Sequence, residues 1–258
     1  MLILLPPSET KRDGGDVDRR LALDALSYRE LTPVRRATIA RLRAVSRTIS
    51  GGLTALKLSA GQRVEVDRNR ALGSSATMAA VDRYTGVLYD ALDSASLSSE
   101  ARSLAGEAVV IHSALFGFVG ALDPIPAYRL SHDSRLPGSS LASVWREPLA
   151  HILDQTSGLV LDLRSESYSS MGPLASGADR WFVRVVARGE DGVGRALNHF
   201  NKKGKGQFVR RILEAGIDHA NTDSLLAWAA ASEIDLEFGD RPGELNLAVA
   251  NTVAGSAR

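Results

Sequence analysis

The chain contains no cysteine. That absence excludes disulfide staples, thiolate nucleophiles and cysteine-held zinc, and it accords with a reducing compartment such as the cytoplasm. Long apolar runs are missing too: "MLILLPP" is too short for a bilayer, and "AVVIHSALFGFVGAL" is broken by polar residues and glycine. No membrane span is expected. The N-terminus has no basic stretch ahead of its apolar residues and no small-residue cleavage site, so it does not read as a secretion signal. The five histidines, at 112, 132, 151, 199 and 219, show neither an i,i+3 nor an i,i+4 pair and no HExxH pattern. Neither a metal site nor a bound cofactor is expected. The G-x-S-x-G nucleophile elbow, the phosphate-binding Gly-x-x-x-x-Gly-Lys-Ser/Thr loop and the three-glycine dinucleotide fingerprint are all absent.

What is present suits one compact domain. The 258 residues are 44% hydrophobic and 24% charged, an ordinary balance for a globular chain able to bury a sizeable core. Apolar strand-like runs open the chain (about 1 to 5) and recur in "EAVVIHSALFG" and "GLVLDLRS". Helical spacing appears at about 17 to 30, at 33 to 49 after Thr32 and Pro33, at 74 to 93 around a break at "RYTG", and at 98 to 106. Later helices follow in "LASVWREPLAHILDQ", in a segment running to about 215, and in "TDSLLAWAAAS". "RWFVRVVARGEDGVGRALNHFN" reads as a hairpin leading into that segment, and "EIDLEFGDRPGELNLAV" as a closing hairpin. The interspersed order predicts a single mixed α/β domain over residues 1–250, without the regularity of a doubly wound sheet, and a frayed tail at 251–258.

The net charge of +1 hides local asymmetry. Residues 33–58 carry Arg35, Arg36, Arg41, Arg43, Arg47 and Lys57 and no acid. At about 100° per residue Arg43 and Arg47 fall within roughly 20° of Arg36, opposite Val34, Leu42, Val45 and Ile49. One face is expected to pack and the other to present guanidinium groups suited to phosphate oxygens. The competing reading is a solvated face paired with acids elsewhere. The Gly51-Gly52 pair is expected to break the helix before a second short one.

"NKKGKGQFVRRIL", residues 201–213, forms a second basic element. Phe208, Val209, Ile212 and Leu213 make one apolar stripe and leave Arg210 and Arg211 toward the other side. Gly204 and Gly206 are expected to form a loop that lets the backbone approach an anion near a helix start, with Lys202, Lys203 and Lys205 around it. The alternative is an exposed basic loop with no ligand.

The ends of the apolar strands suggest a polar pocket. Glu166 and Tyr168 follow "GLVLDL", and Ser8, Thr10 and Lys11 follow the first strand; if those strands are parallel neighbours, the side chains meet. Tyr84, Thr85, Gly86, Tyr128 and Arg129 complete a pocket able to stack a nucleobase-like ligand and hydrogen-bond its edge. Glu166 and Tyr168 are the candidate catalytic pair, for general acid/base work at a nucleoside bond, and the alternative is that Glu166 only caps or pairs within the fold.

Taken together and in this order, "MLILLPPSETK", "RYTGVLYDAL" at 83–92, "HSALFGFVGALDPIPAYRL" at 112–130, "LDLRSESY" at 161–168 and "NHFNKKGKGQFVRRIL" at 198–213 resemble the YaaA-like family of cytoplasmic peroxide stress proteins. The resemblance implies an α/β fold of its own type with a positively charged cleft. It also implies a helix-hairpin-helix element that binds DNA, duplex or branched, and protection against hydrogen peroxide tied to low intracellular iron. On this basis the hairpin element is placed at residues 33–58, and the "KKGKG" loop becomes a second wall of the cleft.

Overall fold

A computed structural model describes residues 1–189, 192–195 and 198–250. The expected frayed tail, 251–258, and the turn at 190–191 lie outside the described residues. The first half runs β1 (Leu2–Leu5), α1 (Thr32–Val45), α2 (Ile49–Leu56), α3 (Arg63–Arg70), β2 (Met78–Ala79), α4 (Ala80–Arg83), α5 (Val87–Leu92), α6 (Ser99–Ala108), β3 (Val109–Ser113), β4 (Gly117–Gly120) and β5 (Pro124–Ile125). The second half runs α7 (Leu141–Gln155), β6 (Val160–Asp162), α8 (Glu166–Ser169), β7 (Arg180–Gly189), β8 (Gly192–Arg195), α9 (Asn198–Ala215), α10 (Thr222–Ala231), β9 (Leu236–Phe238) and β10 (Glu244–Ala250).

One mostly parallel sheet organises the molecule, in the order β4-β3-β1-β6-β7-β10-β9, with β8 paired to β7 off that path. β1 lies between β3 and β6 and is parallel to both, with Leu4 opposite Val110 on one side and Asp162 on the other. All four of its residues are buried, as a strand covered on both faces requires, which is why "LILL" shows no alternation. β4 and β9 are antiparallel additions at the two edges, and β8 folds back on β7. The chain is therefore a mixed α/β domain. Among the described residues no helix is long and apolar enough to cross a membrane.

Several expected elements take a different form. The stretch 17–30 contains only two 3-10 turns, at Leu23–Ala25 and Arg29–Leu31. Tertiary partners claim its backbone: Asp123 accepts from the Ser27 amide at 2.9 Å, and the Arg35 guanidinium donates to the Ser27 carbonyl at 2.7 Å. Thr32 is the first residue of α1 rather than its side-chain cap, with Pro33 in the first turn. The helix then ends at Val45, and Ile49 belongs to α2, which Thr48 caps through a bond from the Gly51 amide at 3.1 Å. Gly51 and Gly52 therefore sit inside α2 and no hairpin forms at them. A Cβ on Gly52 would lie 2.5 Å from Val66 of α3, so this glycine serves close helix packing. α3 itself had no counterpart in the sequence reading.

The opening of α9 is the largest correction. Residues 198–215 form one helix, so "KKGKG" is not a loop. Gly204 and Gly206 face neighbouring elements: a Cβ on Gly204 would meet Val249 at 2.8 Å, and one on Gly206 would overlap the Leu88 carbonyl oxygen and approach Ala91 Cβ to 2.9 Å. They permit α9 to lie against α5 and β10. They do not bring backbone to a ligand.

Candidate functional site

β1 connects onward to β3 on one side, while β6 pairs on the other, so the loops leaving β1 and β6 diverge and open a crevice at the strand C-termini. β7 deepens it. β6 pairs with β7 only to Phe182, and β8 takes up the same edge from Val186, which leaves Arg184 in the gap between them. The resulting cleft has a volume of about 670 Å³ and is lined by residues of 6–9, 85–89, 130–132 and 163–168, with Phe182, Arg184, Asn201, Lys202 and Lys205.

The β1 and β6 loops do bring Ser8, Glu166 and Tyr168 to one cleft, and the turn between α4 and α5 adds Thr85 and Gly86. Thr10 stands beside it, its hydroxyl accepting from Thr85 at 2.9 Å. Arg129 reaches it through an ion pair with Glu9 at 2.6 Å. Tyr84, Tyr128 and Lys11 lie behind the wall instead. The Tyr128 hydroxyl bonds Tyr84 at 2.8 Å and Ser113 at 2.7 Å, and the Lys11 amine sits 4.3 Å from the Tyr128 ring centroid while donating to the Ser8 and Glu9 carbonyls. The tyrosine faces expected to stack a base are therefore already covered. Burial, reinforced by Arg129, lowers the Lys11 amine to about 7, and burial raises the Tyr128 hydroxyl to about 12.

Three side chains that the sequence reading did not group form the support beneath. Arg164 is fully buried and holds Asp162 through two bonds, at 2.8 and 2.6 Å. It also reaches His112 Nδ1 at 3.0 Å and the Gly172 carbonyl at 2.8 Å. Burial, then the Arg164 charge, keeps His112 well below the usual histidine range, so its ring is neutral and accepts at Nδ1. The ring lies 5.2 Å from that of Tyr168, which ties the buried network to the cleft wall. The alternation of Asp162 and Arg164 at the end of an apolar strand was the one available signal.

The basic residues separate into two groups. Lys205 is buried on the cleft floor, donating to the Leu163 carbonyl at 3.0 Å and the Arg164 carbonyl at 3.2 Å. Arg210 and Arg211 are engaged with the fold, Arg210 with the Leu92 and Asp93 carbonyls and Arg211 with that of Ser232. Arg35 is entirely buried and donates to the Phe116 and Phe118 carbonyls, and Arg41 holds the carbonyls of Pro137 and Ser139. Arg36 pairs with Asp24 at 3.1 Å on the surface. By contrast Arg43, Arg47, Lys202 and Lys203 are exposed, and among the described residues their side chains make no hydrogen bond or ion pair. The acids near the cleft are matched: Glu9 with Arg129, Glu166 with Arg184 at 3.3 Å, and Asp133 with Lys57 at 2.8 Å. Among the described residues no cluster of three or more His, Asp or Glu is placed to hold a metal ion.

A mostly parallel sheet with its crevice at the strand ends, reached by segments from both halves of the chain, defines a mixed α/β class of protein. The chain belongs to the family described as peroxide stress protein YaaA, whose family model matches residues 1–231. It is 39% identical over 242 residues to a UPF0246 protein of Corynebacterium glutamicum, covering 92% of this chain and 95% of that one. A UPF0246 protein of Streptomyces coelicolor is 39% identical over 222 residues, 84% of each chain. A more distant relative from Ruegeria pomeroyi is 32% identical over 165 residues, covering 59% of this chain and 64% of that one.

Proposed function

We propose that the protein acts in the cytoplasmic peroxide stress response by binding DNA, duplex or branched, with little sequence preference. The observation that carries this reading is the imbalance at the cleft and its surroundings: the acids there are each matched by a cation, while Lys202 and Lys203 on α9, Arg43 on α1 and Arg47 in the turn between α1 and α2 are exposed and unpaired among the described residues. Such side chains suit phosphate oxygens, which position a duplex without reading its sequence. The helix pair within residues 33–58, α1 and α2, is the helix-hairpin-helix element of this proposal. It packs on the segment that forms the cleft rim, through the Arg135 amide to the Ala55 carbonyl and Lys57 to Asp133. The link to low intracellular iron belongs to the same proposal, as shielding of bound DNA from radicals made by iron and peroxide.

A salt titration of binding to unrelated duplexes tests it. Affinity should fall steeply and about equally for all sequences as salt rises. Absence of binding at low salt, or an affinity insensitive to salt, would sink the reading.

The volume and lining of the cleft support a second reading, an enzyme acting on a nucleobase or nucleoside. A space of about 670 Å³ bordered by Ser8, Thr85, Glu166 and Tyr168 accommodates one nucleoside. Release of a free base from a nucleoside panel, abolished in Glu166→Gln, is the expected result; no turnover across the panel would remove this reading.

A further inference from the structure

Phosphate binding leaves the buried lysine of the cleft unexplained. Lys205 lines the floor, yet its nitrogen donates to two backbone carbonyls, those of Leu163 and Arg164, and stands 5.3 Å from the Phe182 ring centroid. The flanking glycines fix its place, since Gly206 seats α9 against the Leu88 carbonyl and Gly204 seats it against Val185 and Val249. Lys205 is thus held by the packing of a helix on the sheet, unlike Lys202 one turn earlier, which is exposed at the rim.

An anion anchor must aim N–H groups at its ligand. Here two N–H groups are already committed to carbonyls, both supplied by the β6 loop. Burial lowers the Lys205 amine to about 8, with Asp162 opposing and Arg184 reinforcing, so an appreciable neutral fraction exists near physiological pH. A neutral amine has two N–H bonds and one lone pair. With the carbonyls taking both N–H bonds, the lone pair is what remains for the cleft. That arrangement suits a nucleophile, as for other desolvated lysines beside a second cation.

We propose that Lys205 forms a Schiff base with an aldehyde entering the cleft, and that this aldehyde is the ring-opened deoxyribose of an abasic site in DNA. The substrate class rests on the DNA-binding reading above, whereas the reactivity of the amine does not. The cleft is too small for a duplex and large enough for one nucleotide turned out of it. A sugar that has lost its base gives up no stacking when it turns out, and its C1′ then carries a free aldehyde. In the step itself, the nitrogen lone pair forms the N–C1′ bond while the carbonyl electron pair moves to oxygen. That oxygen takes a proton that the nitrogen releases. The resulting hydroxyl leaves as water with the second nitrogen proton, and a C=N bond remains. Glu166 lines the same cleft and contributes its charge to the field at the amine.

The test uses the full chain and one duplex prepared in three forms: intact, with a single abasic site, and with a tetrahydrofuran analogue that lacks the aldehyde. Binding of each is measured at low salt, and each is then treated with sodium borohydride, which reduces an imine to a stable amine. The expected result is a covalent complex with the abasic duplex alone, mapped by peptide mass spectrometry of the wild-type protein to Lys205, and lost in Lys205→Arg. Its yield should rise with pH up to about pH 8 and level off above it. A third arm replaces DNA with 2-deoxyribose 5-phosphate, so the amine is read independently of duplex binding. If the duplexes bind and no adduct maps to Lys205, the inference is overturned and the DNA reading stands. If no duplex binds but the small aldehyde modifies Lys205, the DNA reading falls and the amine assignment stands. Adducts spread over Lys11, Lys202 and Lys203 with none on Lys205 also overturn the inference, and because this is read on the wild-type chain it does not depend on any variant folding.

Discussion

Gly206→Ala is the substitution on which the architecture of the cleft can be judged most directly. Two effects oppose each other. Replacing a mid-helix glycine by alanine stabilises a helix by about 1 kcal/mol, because glycine gives up more backbone freedom on folding. Against this, the new methyl would overlap the Leu88 carbonyl oxygen and stand 2.9 Å from Ala91 Cβ. Overpacking of a tight site typically costs about 1–3 kcal/mol, and the upper part of that range applies because the obstacle is backbone rather than a side chain that can turn away. The net expectation is a loss of roughly 1–2 kcal/mol. With a urea m-value of about 2 kcal/mol/M the unfolding midpoint should fall by about 0.5–1 M. Gly204→Ala is the control: its methyl meets Val249 and Val185 side chains at 2.8 and 3.4 Å, which can give way, so its midpoint should stay close to wild type. Urea denaturation followed by circular dichroism reads both. If Gly206→Ala is as stable as wild type or more so, α9 does not lie against α5 as described, and the seat of Lys205 goes with it.

Other expectations follow from the same contacts. Asp162→Asn leaves the fully buried Arg164 without its counter-charge and should destabilise by about 3–5 kcal/mol in urea unfolding; a change below about 1 kcal/mol would mean the pair is not buried as a unit. Lys11 titrates at about 7 in the folded chain and at its ordinary 10.5 when unfolded, so between those values the unfolded state holds more protons. Stability should therefore rise with pH through that window, by an amount on the order of 5 kcal/mol relative to Lys11→Met, and parallel pH profiles for the two proteins would refute the assignment. Arg43→Gln with Arg47→Gln should make the salt slope of duplex binding shallower by up to about 1.8, leaving the fold intact; an unchanged slope would mean that this face is only solvated.

Strands and their burial could be read from local pattern. "LILL" is apolar at every position because both faces are covered, and the hairpins announced themselves by glycine-rich turns between β-like runs. Even the meeting of Ser8 with Glu166 and Tyr168 was available as a conditional, needing only that two apolar strands be parallel neighbours. The roles of the glycines were not. A glycine is permitted both where the backbone must bend freely and where another element must come close, and the residues around it look alike in the two cases. "KKGKG" reads as a loop until α5 is placed beside it, and Gly51-Gly52 reads as a break until Val66 is.

Charge shows the same division. The number of arginines on α1 and their angular spacing are properties of the sequence, but whether each one meets water, a carboxylate or a carbonyl depends on residues far along the chain. Arg35 is claimed by Phe116 and Phe118, Arg210 by Leu92 and Asp93, and Lys205 by Leu163 and Arg164, each a partner tens of residues away. A helical period specifies a direction from the helix axis and says nothing of what stands in that direction. Sequence alone therefore determined the family, the strands and the basic segments, while the folding of α9 onto the sheet decided which lysine is a surface cation and which is a buried amine.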